Sequence, residues 1–141
     1  MLFYNIFLKI IFVINGLGAA SGLVVDKNTI YAIADNDAHL YIYNTKTNKV
    51  DKVDLQPEIS SDKMNKKDKP DFESIAKDGD YIDVIGSGSK ENRFDLISYN
   101  IKTGKIKNDS YKQLYNKFLE ISNFTKKDFN IEGIVISKDF T

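Results

Sequence analysis

The chain has 141 residues with 20 basic and 20 acidic side chains, so its formal net charge is zero. That length supports one domain with a core of its own, and the neutral balance argues against a protein steered onto nucleic acid by phosphate charge. There is no cysteine and one histidine, His39. This excludes disulfides, thiolate metal sites, cysteine nucleophiles and multi-histidine metal centres, and any Ser-His-Asp chemistry would run through His39.

Residues 1–15 are almost wholly apolar, with MLFYNIFLKIIFVI up to Ile14. The run is too short to span a bilayer as a helix, so no transmembrane span is expected. It reads either as a buried strand or as the core of a secretory signal, with Gly18-Ala19-Ala20 as a small-residue cleavage site. No positive charge precedes it, which favours the strand. An apolar start on a β-rich chain leans toward an extracytoplasmic location, periplasmic or secreted.

From Gly16 onward, short apolar runs alternate with turn residues. Leu23-Val24-Val25, Ile30 to Ala34, His39 to Asn44 and Val50 to Leu55 read as strands, separated by Asp26-Lys27-Asn28, Asp35-Asn36-Asp37 and Thr45 to Lys49. Gln56 to Pro70 forms a polar loop, and its lysines (Lys63, Lys66, Lys67, Lys69) read as solvated. The pattern then restarts with Phe72 to Ala76, Tyr81 to Ile85 and Phe94 to Asn100, and Ile106 leads out. HLYIYNTKTNKV (His39 to Val50) aligns without gaps over DLISYNIKTGKI (Asp95 to Ile106), with Tyr43 and Tyr99 56 residues apart. Upstream, Ser21-Gly22-Leu23 lies over Glu73-Ser74-Ile75, and Asp35-Asn36-Asp37 over Ser87-Gly88-Ser89, with a slip of one or two residues expected.

Four short strands repeating at this period are the pattern of propeller blades. The expected fold is all-β: a β-propeller-like array of four-stranded antiparallel blades, about two and a half of them, with one inserted amphipathic helix. Residues 16–68 are the first repeat with its polar loop, 69–109 the second, 110–128 the helical insertion and 129–141 the start of a third. In the insertion Ser110 and Gln113 fit a capping box. Tyr111, Leu114, Tyr115, Phe118 and Leu119 share one helical face, which should pack on its own sheet. Thr125 to Asp128 suggests a further helical turn. Glu132-Gly133-Ile134 matches Glu73-Ser74-Ile75. Because propellers close with roughly four to eight blades, ring closure calls for further C-terminal blades or for an oligomer.

Together the words GLGAASGL, YAIADN, LYIYN, KPDFESI, IGSGSKENR and FNIEG, over residues 16–136, resemble an uncharacterised bacterial β-propeller family. That family is distantly similar to phytase-like and esterase-like propellers. The resemblance implies further blades and a strand in residues 1–15, and it assigns no activity. Glu132-Gly133 also resembles the metal-ligating glutamate of six-bladed lactonase-type propellers.

Candidate chemistry gathers where the first strand of each repeat begins. Ser21, Glu73 and Glu132 are repeat equivalents there and, with Asp71, would line the channel. Glu73 and Glu132 could hold Ca²⁺ or Mg²⁺ through oxygen ligands. One carboxyl could instead be kept protonated by the other and act as an acid, or both could cap backbone N–H groups. Ser87, Gly88, Ser89 and Arg93, with Lys90, form a candidate anion-binding loop, or a tight turn that needs glycine. Asp35, Asn36 and Asp37 suit a cation, and His39 reads as a surface residue. The expected function is a module binding a small molecule or a glycan. A Ca²⁺-dependent hydrolase of phosphoesters, esters or lactones and a structural scaffold are the alternatives.

Overall fold

The structure is a computed structural model, and it describes residues 13–14, 17–59 and 67–137. The strand-or-signal reading of residues 1–12, much of the polar loop and the last four residues fall outside the described residues. Period-two alternation produces two antiparallel meanders. The first joins β1 (Ala20–Asp26), β2 (Thr29–Ala34), β3 (His39–Asn44) and β4 (Lys49–Asp54). The second joins β5 (Phe72–Asp78), β6 (Tyr81–Gly86), β7 (Asp95–Asn100) and β8 (Ile106–Ser110). One helix, α1 (Lys112–Ser122), follows. The described chain is therefore mostly β, two four-stranded sheets and one helix, and neither sheet closes on itself.

The twelve-residue repeat has a local cause. Asn44 Oδ1 accepts the N–H groups of Lys46 and Thr47 at 3.0 and 3.1 Å, and Asn100 Oδ1 accepts those of Lys102 and Thr103 at 3.1 and 2.9 Å. Each turn closes through a left-handed residue, Asn48 (φ 56°) or Gly104 (φ 70°). Asparagine and glycine are the residues that tolerate this conformation. Much of the identity between the repeats thus specifies one hairpin turn, made twice.

The sheets pack face to face, with β1 and β2 against β5. Tyr31, Ile33 and Leu40 from the first sheet meet Ile75, Ile82, Val84 and Ile97 from the second in one core. Burying each such aliphatic side chain stabilises the fold by roughly 1.5–3 kcal/mol. Lys77 Nζ reaches Asp26 at 3.3 Å across the joint.

Three sequence expectations need correction. The slip between repeats is four residues, because β1 and β5 are offset by 52 and β3 and β7 by 56. All of it falls between Ser87 and Phe94, where a short 3-10 turn (Glu91–Arg93) is inserted. The capping box does not form: Ser110 is still paired with Asp95 in β8, Tyr111 is the N-cap, and it has no side-chain cap. The helix begins at Lys112 with Tyr111 as its N-cap, so Ser110 stands one residue too early to cap it. Finally, the third repeat forms no strand among the described residues, although Ile131 N–H donates to Ser87 O at 2.9 Å. Thr125 to Asp128 is a hydrogen-bonded turn held by Thr125 Oγ1 donating to Asp128 at 2.5 Å.

The expected helix face is only partly packed. Tyr115 is buried, whereas Leu114 and Phe118 remain exposed. Tyr115 stacks between Phe94 and Phe129, with ring centroids 5.0 and 5.9 Å away, and its hydroxyl donates to Gly86 O at 3.0 Å.

Candidate functional site

Each sheet carries a β-bulge at the start of its first strand. Register shifts between Ala20 and Gly22, and again between Phe72 and Ser74. Ser21 and Glu73 are therefore the bulged residues, which re-aims their side chains out of the ladder. The residue two positions before each bulge is left-handed, Ala19 at φ 47° and Asp71 at φ 55°. In both, its carbonyl accepts a backbone N–H from the loop after the second strand: Asp35 N at 3.2 Å and Ser87 N at 3.0 Å. The equivalence read from sequence is thus a shared backbone device.

Glu73 is the chemically distinctive residue. Burial pushes its carboxyl up to about 7, and the negative fields of Glu132, Asp71 and Asp35 add to this while Arg93 opposes it. These acids therefore lie within electrostatic reach of Glu73. Ser21 adjoins them, its hydroxyl donating to the Phe72 carbonyl across the joint. Glu132 is exposed and accepts a hydrogen bond from Asn130.

The serine and glycine loop folds around Asp71. Arg93 Nη1 lies 2.5 Å from Asp71 Oδ2 and 2.7 Å from Ser89 Oγ. Ser87 Oγ donates to the same carboxylate oxygen at 2.7 Å and lies 2.8 Å from Ser89 Oγ. Arg93 and Ser87 are both buried. The groups read as an anion cradle already hold one anion, the Asp71 carboxylate. The glycines fit tight approaches: a Cβ on Gly86 would sit 2.8 Å from Pro70 O, and one on Gly88 would sit 2.2 Å from the Tyr115 ring.

His39 is buried, not a surface residue. Its Nε2 lies 2.7 Å from Asp54 Oδ1, and its backbone N–H donates to Asp37 Oδ1 at 3.0 Å. Asp37 also accepts Tyr41 Oη at 2.6 Å. The acidic loop is thus engaged by its own strand. Pairing of β3 with β4 sets Asp54 opposite His39, a relation that a lone histidine in a sequence does not reveal.

A divalent cation would need several oxygen ligands, about six to eight for Ca²⁺. Among the described residues no three of His, Cys, Asp and Glu come together as a metal-holding group. With Asp71 engaged by Arg93, the acids near Glu73 that it leaves are Glu132 and Asp35, and Glu132 accepts from Asn130. No helix among the described residues is long and apolar enough to cross a membrane.

No curated protein matches the chain. A family of unknown function, DUF6929, matches residues 16–141. That span takes in both sheets, the helix and every residue of the candidate site, and the chain belongs to this family.

Proposed function

We propose that the chain is a ligand-binding module whose two sheets are adjacent blades of a propeller, and that Glu73 and Glu132 bind a small polyhydroxylated ligand such as a glycan at the channel mouth. Repeated bulges and face-to-face packing through β1 and β5 support the blade reading. The single observation that carries the binding reading is the part-buried Glu73 carboxyl, pushed up to about 7. Such a group donates a hydrogen bond when protonated and accepts when ionised, which suits sugar hydroxyls. Glu73 and Glu132 alone are few ligands for Ca²⁺, so a hydroxyl ligand fits the residues better than a bare cation.

A second reading rests on the same carboxyl. A group titrating near neutrality is matched to general acid–base work, so ester, phosphoester or lactone hydrolysis is the alternative.

The test is an NMR titration of ¹⁵N-labelled protein with a panel of mono- and disaccharides, and separately with CaCl₂. A saturable sugar response at the amides of Ser21, Glu73 and Gly133, lost in Glu73→Ala, supports the binding reading. Shifts with CaCl₂ alone would replace the glycan by a cation. Turnover of nitrophenyl esters or phosphates, lost in Glu73→Gln, would favour hydrolysis. No response at these amides to any probe would overturn the site.

A further inference from the structure

Glu73 and Glu132 lie on separate stretches of backbone, and both stretches hang from Ser87. Two positions before Glu73 stands Asp71, whose carbonyl accepts the Ser87 N–H at 3.0 Å. Directly before Glu132 stands Ile131, whose N–H donates to the Ser87 carbonyl at 2.9 Å. One residue thus spends its backbone donor on one limb of the site and its backbone acceptor on the other. Ser87 is 0% exposed. Hydrogen bonds shielded from water in this way are costly to break, because each group would be left buried without a partner.

The side chain adds a third tie. Ser87 Oγ donates to Asp71 Oδ2 at 2.7 Å, the oxygen that Arg93 Nη1 also reaches. With its own hydrogen committed to Asp71, Ser87 Oγ accepts from Ser89 Oγ at 2.8 Å. The backbone on either side is held as well. Gly86 fits against the carbonyls of Pro70 and Arg93, and its own carbonyl accepts the Tyr115 hydroxyl at 3.0 Å. Gly88, at φ 75°, lies against the Tyr115 ring and donates to Arg93 O at 3.1 Å.

The first repeat shows what has been added. Asp35 stands 52 residues before Ser87, and its N–H donates to Ala19 O at 3.2 Å. That backbone bond accompanies the bulge and recurs. Ala19 has no carboxylate, so the side-chain tie is the second repeat's own, and this is the repeat with an acid at its bulge.

We propose that Ser87 is the positioning residue of the candidate site, holding the limbs that carry Glu73 and Glu132 at a fixed separation. It acts through Asp71 and Ile131 without touching the ligand. The acids whose fields reach Glu73 are Glu132, Asp71 and Asp35, with Arg93 opposing them. Ser87 bonds one of these acids directly and carries the limb of another. The inference rests on the binding reading for its purpose, but the tie itself is tested without any sugar.

The tie is read first in the unaltered protein, by amide hydrogen exchange, where the amides of Ser87 and Ile131 should both be protected. Ser87→Ala is then compared with Ser98→Ala, a control serine that also bonds a carboxylate, that of Asp83. In Ser87→Ala the Ile131 amide should exchange faster while the amides of β2 stay protected. Glu132→Gln should also move the Glu73 titration midpoint less in Ser87→Ala than in the parent. Affinity for any sugar the parent binds should fall about tenfold, as the loss of one buried hydrogen bond allows. Ser98→Ala should change none of these readouts. An unprotected Ile131 amide in the unaltered protein would overturn the proposal. So would a Ser87→Ala protein that loses stability yet keeps the full response of Glu73 to Glu132→Gln, since Ser87 would then be structural only. Absence of sugar binding by the parent, with exchange and titration as expected, would overturn the glycan reading and leave the tie standing.

Discussion

The loop after β2 and the loop after β6 do the same backbone job with opposite chemistry. Both close onto a left-handed residue ahead of a bulge, Ala19 in one and Asp71 in the other. In the first repeat that position is apolar, and the loop's acid, Asp37, serves its own strand through His39 N–H and Tyr41 Oη. In the second the position itself is the acid. Four extra residues supply a buried arginine and, with Ser87, hydroxyls to hold it. The difference shows how a repeat acquires a distinct site without changing its scaffold: the bulge is kept and the insertion carries the charge. Only the second repeat then sets a carboxylate, Glu73, at the bulge with other acids around it.

This contrast can be broken at graded strength. The largest effect is expected at Tyr115, the one buried residue of α1, which seats the helix on the glycine loop. Truncation of a buried aromatic side chain costs about 4 kcal/mol, so Tyr115→Ala should lower stability by that order in a urea titration. Tyr115→Phe should cost only about 1 kcal/mol, through the lost hydrogen bond. Next, Arg93→Ala leaves the Asp71 carboxylate without its cation and should cost about 3 kcal/mol. The double variant with Asp71→Ala should cost less than the two singles summed, measured as a double-mutant cycle.

A smaller loss is expected in the first repeat. Asp37→Ala removes a hydrogen-bond acceptor from the His39 amide and Tyr41 hydroxyl and should cost about 1.5 kcal/mol, again read by urea. If Asp37→Ala proves as damaging as Arg93→Ala, the two loops are less different in function than their contacts suggest. The smallest effect concerns pH. With its carboxyl raised to about 7 from 4.5, Glu73 binds its proton more tightly in the folded state than in the unfolded chain. Its contribution is therefore fully present below pH 4.5 and is lost as pH rises through about 7. Glu73→Gln should accordingly reduce the fall in melting temperature between pH 5 and pH 8, measured by calorimetry.

Much of the sheet was legible because alternation and turn residues act locally. The Asn44 and Asn100 turns recur as nearly the same words, and the strand segments follow from the apolar runs between such turns. The match of Ser21 with Glu73 was legible because the first two strands of each repeat keep one offset, β1 to β5 and β2 to β6 both being 52 residues. Contacts set by pairing across long separations were not. Arg93 meets Asp71 across 22 residues, and His39 meets Asp54 only because β3 lies beside β4. The helix start lies one residue beyond its local signal: Ser110 fits a capping pattern, but β8 runs through Ser110 and the N-cap falls on Tyr111. Tyr115 shares its stripe with Leu114 and Phe118, so periodicity could not single it out as the buried anchor.

The most direct test is the titration of Glu73 itself, followed by its side-chain carboxyl ¹³C shift in selectively labelled protein. Gathering of acids around a part-buried bulge residue predicts a midpoint near 7, moving down when Glu132 is replaced by Gln. A midpoint near the ordinary 4.5, unmoved by Glu132→Gln, would mean that the two carboxyls neither meet nor share a desolvated pole, and would contradict the site proposed here.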